Sequence, residues 1–337
     1  MKFQSRKVLG ISLLVITSLG IFSACSFFNK DDPGKNSAQI IQDGLKNLYA
    51  TTSSNFKIHV KGDTSSQANK SSFDVNFGGS ADSKDSKNPI GNFKLDVNGV
   101  MPATGSTKSQ SLSAELRLDK NFVYAIVSKA DVEPKDMFNG IVGQWWKMKL
   151  PADTFGNQVS VFGAKEKLSE KDKKIRDLLE KTVFFKDIKY TGDEGGSYQF
   201  EATFDKVAVR DFTIALGQIN GTYGQTVTDD VKKQIDKNFD PFTINPIKIG
   251  VQKSGKILDK FNVSLIYTKP DSGTAPSPED VDKTNLSFEL SLSDFNKAVT
   301  VEAPKDAKEF DPASVFGGPV SPVAPATPVA PSAPKIK

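Results

Sequence analysis

The chain has 337 residues, with 44 Lys and Arg against 40 Asp and Glu for a formal charge of +4, and it holds 24 Phe but one Cys and one His. One cysteine excludes an intramolecular disulfide, and one histidine excludes a multi-histidine metal centre. Lys2, Arg6 and Lys7 all lie in the first 24 residues, which carry no acid, so the 313 residues after them hold only +1. That is too little to support a basic nucleic-acid surface.

Those three cations precede an apolar run from Val8 to Cys25, VLGISLLVITSLGIFSAC, which closes on the small residues Ser23 and Ala24. This is the order of a secretory leader. An uncut membrane anchor is the alternative, although Val8 to Ala24 is 17 residues, the short limit for about 30 Å of hydrocarbon. Because the run ends directly on Cys25, it resembles a bacterial lipoprotein signal, with Phe22 standing where that pattern prefers an aliphatic residue. The resemblance implies that residues 1–24 are removed and that Cys25 is the lipidated first residue. It also implies that the chain is extracytoplasmic and lipid-anchored to a bacterial membrane. With Cys25 committed to lipid, a Cys/His nucleophile pair is excluded.

Residues 25–37 read as a polar tether, with Phe27 and Phe28 beside the attachment point and suited to the membrane interface. A helix follows, with Asn36 and Gln39 at capping-box spacing and Ile40, Ile41, Leu45, Leu48 and Tyr49 on one side. From Phe56 the period changes to two. Phe56, Ile58 and Val60, then Phe73, Val75 and Phe77, then Phe93, Leu95 and Val97, then Leu112 to Leu118, each alternate with polar residues. One buried and one wet face marks antiparallel strands. Phe122 to Val127 is apolar on both faces and reads as mid-sheet. In the strand Gly143 to Leu150, parity places Trp146 in the core and Trp145 on the polar face or under a loop.

Ser169 caps a helix with the stripe Ile175, Leu178 and Leu179; its Lys residues are offset by Glu and Asp, so they read as a solvated face and not a basic patch. A hairpin runs from Val183 to Tyr190 and Tyr198 to Phe204. Asp205 and Thr228 open two more helices. Ile247 to Val251 and Leu258 to Tyr267 form a second hairpin across Lys253-Ser254-Gly255-Lys256. Leu286 to Leu292 is another one-faced strand, and Val299 and Val301 begin the last. The folded domain is placed at residues 38–309. In 310–337 Pro319, Pro322, Pro325, Pro328, Pro331 and Pro334 recur every third residue, as in a polyproline II rod or disordered spacer.

No GxGxxG or Walker A pattern occurs, and no cofactor or metal is expected. A Ser-His-Asp triad would have to use His59, on the wet face of its strand. Asp280, Asp282 and Thr284 imitate the start of a calcium loop, but Asn285 and Ser291 stand where an EF-hand needs glycine and glutamate. Carboxylate-only hydrolysis is the one enzymatic reading left open.

The leader, first helix, one-faced strands, Trp-bearing strand, central helices and further strands resemble, in that order, the superfamily of LolA, LolB and the mycobacterial LppX/LprG lipoproteins. Local support comes from Gly143 to Lys147, the hairpin at Lys253 to Lys256, and the closing runs Leu292 to Asn296 and Val299 to Pro304. The resemblance implies an α+β fold, a strongly curved antiparallel sheet of about 11–12 strands forming an incomplete β-barrel over a few amphipathic helices. Its apolar concave side would hold a lipid or acyl chain, with Phe73, Phe77, Leu95, Leu116, Trp146, Phe200 and Phe288 as candidate liners. The expected partners are therefore a membrane, through the lipid on Cys25, and a lipid ligand; no protein partner is indicated. A structural or interaction lipoprotein with a dry core is the alternative.

Overall fold

A computed structural model describes residues 32–66, 70–85, 88–103, 106–133, 138, 140–150, 168–224, 226–270 and 281–310. The expected leader, Cys25 and the proline repeat lie outside the described residues. The strands are β1 (Ser53–Ser66), β2 (Lys70–Asp82), β3 (Ile90–Ala103), β4 (Ser106–Asp119), β5 (Phe122–Asp131), β6 (Trp146–Lys149), β7 (Phe185–Glu194), β8 (Ser197–Phe204), β9 (Phe242–Ile244), β10 (Ile247–Gln252), β11 (Leu258–Thr268), β12 (Val281–Ser293) and β13 (Lys308–Glu309). The helices are α1 (Ser37–Ala50), α2 (Glu170–Lys181), α3 (Lys206–Ile219) and α4 (Asp229–Phe239).

The thirteen strands among the described residues join one open, curved sheet in the order β13-β6-β5-β4-β3-β2-β1-β12-β11-β10-β8-β7, with β9 paired to β11. The order leaves β13 and β7 as edges. The long pairings are antiparallel, as the alternation predicts, and only the two-residue pairing of β13 with β6 is a parallel ladder. The count exceeds the expected 11–12 because β9 and β13 are too short to show a period of two. Val299 and Val301 begin no strand. From Lys297 to Ala307 the chain is irregular, with a turn at Lys305 and Asp306, and forms no ladder; only Lys308–Glu309 pairs. Asp282 and Thr284 lie inside β12 and so form no calcium loop.

Local chemistry sets most boundaries. Ser169 Oγ accepts from Asp172 N at 3.1 Å, and Asp205 Oδ1 accepts from Val207 N at 2.9 Å, so α2 and α3 start on capped ends. The capping box expected on α1 does not form; Gln39 Nε2 donates forward to Asp43 Oδ1. Gly195 and Gly196, with φ of 58° and 85°, make the tight turn between β7 and β8, a shape that costs other residues more. In the core, α1 lies on β10, β11 and β7, α2 on α3, and α3 on α4. Ile41, Tyr49, Phe184, Phe200, Ile247, Ile249 and Val251 are fully buried there, and the Phe184 and Phe212 rings meet edge-on at 4.9 Å.

Asp259 is buried in this packed half. A bulge in the β10–β11 pairing leaves Asp259 without a ladder partner, and it reaches over Gly250 to accept a 2.6 Å hydrogen bond from Ser197 Oγ. A Cβ on Gly250 would stand 2.7 Å from Asp259 Oδ1, a buried oxygen with no hydrogen-bond partner among the described residues. Burial pushes this carboxyl above its ordinary range, against the smaller opposing effect of Ser197. The folded chain therefore holds the proton more tightly than the unfolded chain. Stability is favoured at acid pH and declines as pH rises from the unfolded carboxylate value through the raised folded one. Asp259→Asn is expected to remove this decline, so its denaturation midpoint relative to the parent rises as pH increases above the ordinary carboxylate range. A midpoint difference independent of pH would contradict it.

Candidate functional site

The ladders turn one-faced strands into rows. Phe56, Gly79, Phe93, Leu116, Ala125 and Trp146 are successive partners across β1 to β6, and Ile58, Phe77, Leu95, Ala114 and Val127 form the adjacent row. In the other direction Ile58 continues through Leu290, Phe261, Ile249 and Phe200 to Tyr190. The face is thus one apolar surface across both halves of the sheet, with two different fates. Beneath the helices Ile249 is 0% exposed and Phe200 1%; across β4 to β6 Leu116 is 39% exposed and Met148 45%.

On the second half lies a cavity of about 520 Å³ lined by Phe77, Phe93, Leu95, Ala114, Leu116, Ala125, Ile126, Val127, Ile141, Trp146 and Phe310, with Glu115 as the one charged lining residue among those described. By register Glu115 is a wet-face residue, opposite Lys94 and 3.8 Å from Arg117. Phe56, Phe77 and Phe93 form a cluster with centroids 5.1 to 6.1 Å apart, of which Phe77 and Phe93 line the cavity. Phe310 meets Trp146 edge-on at 6.1 Å. The Trp146 Nε1 is buried without a hydrogen-bond partner among the described residues. Trp145 faces the other way, with the Arg117 guanidinium 4.7 Å above its ring.

Of the residues anticipated from sequence, Phe77, Leu95, Leu116 and Trp146 come together in this cavity. Phe73 lies apart, its ring over Gly62 where a Cβ would be 2.5 Å away. Phe200 and Phe288 are 1% and 3% exposed in the packed core. Sequence reasoning missed Phe93, Ala114, Val127, Ile141 and Phe310. Phe93 carried a signal, because it alternates in phase with Leu95. Phe310 carried none, since it follows the point where composition turns towards the proline repeat.

A larger trough of about 1110 Å³ lies over β1 to β4 and β12, and its lining includes Lys57, His59, Lys94, Asp96, Arg117 and Glu289. His59 Nε2 is 3.2 Å from Asp74 Oδ2 and Nδ1 is 3.8 Å from Glu289 Oε2. Both ring nitrogens therefore face carboxylates, the pairing of a wet strand surface and not of a base beside a nucleophile. A hydrogen bond from Ser113, helped by Lys94, holds the Asp96 carboxyl below its ordinary range against a smaller effect of burial. Among the described residues no three His, Cys, Asp or Glu side chains converge as metal ligands. The trough is larger but offers exposed ion pairs. The cavity offers a continuous apolar wall, and it is the better site.

No family model matches the chain, and no curated protein matches it either. Among solved structures the chain is similar to the LolA superfamily protein NE2245 from Nitrosomonas europaea, at 10% identity over 78% of this chain and 94% of that one, with a TM-score of 0.16. It is also similar to a DUF1329 family protein from Desulfovibrio piger ATCC 29098, at 8% identity over 81% of this chain and 96% of that one, with a TM-score of 0.18. At such identities a likeness concerns fold alone, and at such scores the fold rests on the ladders and packing described above. No helix among the described residues is long and apolar enough to cross a membrane.

Proposed function

We propose that this protein is a membrane-tethered extracytoplasmic lipoprotein that holds an acyl chain in the cavity between β2 and β6, without catalysing a reaction. The observation that carries the reading is the division of one apolar face into a half packed by helices and a half lining about 520 Å³ of space. That volume falls within the range of about 300–1,000 Å³ usual for small-molecule pockets. Water gains little against Phe77, Leu95, Val127 and Trp146, whereas each methylene buried there contributes about 0.8 kcal/mol. Among the described residues the lining supplies no cation for a headgroup, which suits the hydrocarbon part of a ligand. The tether rests on the leader and Cys25.

The test has two arms. Native mass spectra of the purified protein, followed by solvent extraction, should show an added mass that leaves with the organic phase. In cells, Cys25→Ser should move the protein out of the membrane fraction or leave the leader uncleaved. Polypeptide mass alone across independent preparations would sink the cavity reading, and unchanged membrane fractionation and lipid labelling would sink the tether.

A further inference from the structure

One wall of the cavity is built differently from the rest. The floor belongs to β2, β3, β4 and β5, which are held to one another by long antiparallel ladders. Phe310 comes from the C-terminal strap, residues 294–310, which reaches the cavity by another route. After β12 the chain turns through Asp294 and Asn296, whose φ values are 53° and 57°, and Asn296 N donates to Ser53 O at 2.8 Å. It then crosses the wet face of the sheet without forming a ladder. Side chains hold it there: Asn92 Nδ2 donates to Thr300 O at 3.0 Å, Arg117 Nη1 to Glu302 O at 2.9 Å and Gln144 Nε2 to Asp306 O at 3.0 Å.

At the sheet edge the strap becomes β13. Lys308 N donates to Trp145 O at 2.9 Å, Phe310 N donates to Lys147 O at 2.8 Å, and Glu309 pairs with Lys147 at 3.2 Å on the wet face. Phe310 then lies on the apolar face against Trp146. Thus the strap starts on one face of the sheet and delivers a cavity wall to the other, round an edge. Two backbone hydrogen bonds and one ion pair, between a half-buried Lys147 and an exposed Glu309, fix that wall, and such contacts at a sheet edge are weak where solvent can replace them.

We propose that the strap is the gate of the cavity: β13 detaches from β6, carrying Phe310 away from Trp146, and closes again over the occupant. The proposal rests on the reading of the cavity as an acyl-chain site. Opening here breaks two ladder hydrogen bonds, whereas opening between β3 and β4 would break a ladder of fourteen residue pairs. The edge is the low-stability end of the sheet, where moving elements are drawn from.

The test locks β13 to β6. Glu309 and Lys147 are ladder partners with side chains on the wet face, away from the cavity. The full chain carrying Lys147→Cys and Glu309→Cys in a Cys25→Ser background has no thiols but the introduced pair. Stopped-flow mixing with the fluorescent fatty acid cis-parinaric acid should show association and release at least tenfold slower in the oxidised than in the reduced form. Equal rates in the two forms would overturn the gate and leave the cavity reading intact. No fluorescence change in either form, with circular dichroism showing a folded chain, would overturn both. Amide exchange without any probe gives a second reading. The Lys308 and Phe310 amides should exchange at least a hundredfold faster than those of the β3–β4 ladder, and equal protection would also overturn the gate.

Discussion

Phe200→Ala is expected to lower the free energy of unfolding by about 3–5 kcal/mol, and Leu116→Ala by about 1 kcal/mol or less. Both are large apolar residues on the same face of one sheet. Phe200 is 1% exposed, among Tyr190, Tyr198 and the core beneath the helices, so its removal leaves a void in close-packed surroundings. Leu116 is 39% exposed and already borders empty space, so truncation enlarges a cavity without creating one. Guanidinium denaturation of both variants at one pH measures the contrast. Similar losses would mean that the sheet is packed alike in both halves, and the cavity reading would lose its physical basis.

Ala114→Trp is expected to weaken fatty-acid binding at least tenfold while leaving the denaturation midpoint unchanged or raised. Ala114 sits in the cavity floor between its partners Leu95 and Val127. An added indole in a packed core forces neighbours aside at a cost of about 1–3 kcal/mol. Here it enters open volume beside apolar side chains and gains contact surface. Tenfold corresponds to about 1.4 kcal/mol, the loss of roughly two buried methylenes, well below what a filled cavity floor should exclude. Unaltered affinity in a folded variant places the ligand elsewhere; a strong loss of stability shows that the volume is not free.

Much of the fold was legible. Alternation at Phe93-Leu95-Val97 or Leu286-Phe288-Leu290 needs only local information, because a strand with one buried face repeats every two residues. Asp205 and Ser169 announced their helices through hydrogen bonds to nearby backbone, and the Gly195-Gly196 turn announced its hairpin. Where the reading failed, the deciding contact was distant or the segment short. Val299 and Val301 alternate like a strand, yet Asn92 and Arg117, far earlier in the chain, hold that region as a strap. Asp259 reads as an ordinary polar position, and only the bulge and the bare Gly250 turn it inward.

The candidate site was half legible for a related reason. Phe77, Leu95, Leu116 and Trp146 carry the same pattern as Phe200 and Phe288, so periodicity assigned all six to one face and could not divide them. The division came from where helices lie. α1 docks on β10 and β11, and the chain returns to pair β12 with β1 across more than two hundred residues, which puts the covered and uncovered halves side by side. By itself, the sequence determined that one cysteine closes an apolar run preceded by three cations and that a one-faced antiparallel sheet follows, because residue order and strand parity are local properties. Only tertiary structure decided which part of that face is core, which part lines a cavity, and that Phe310 closes its wall, because those depend on which elements meet.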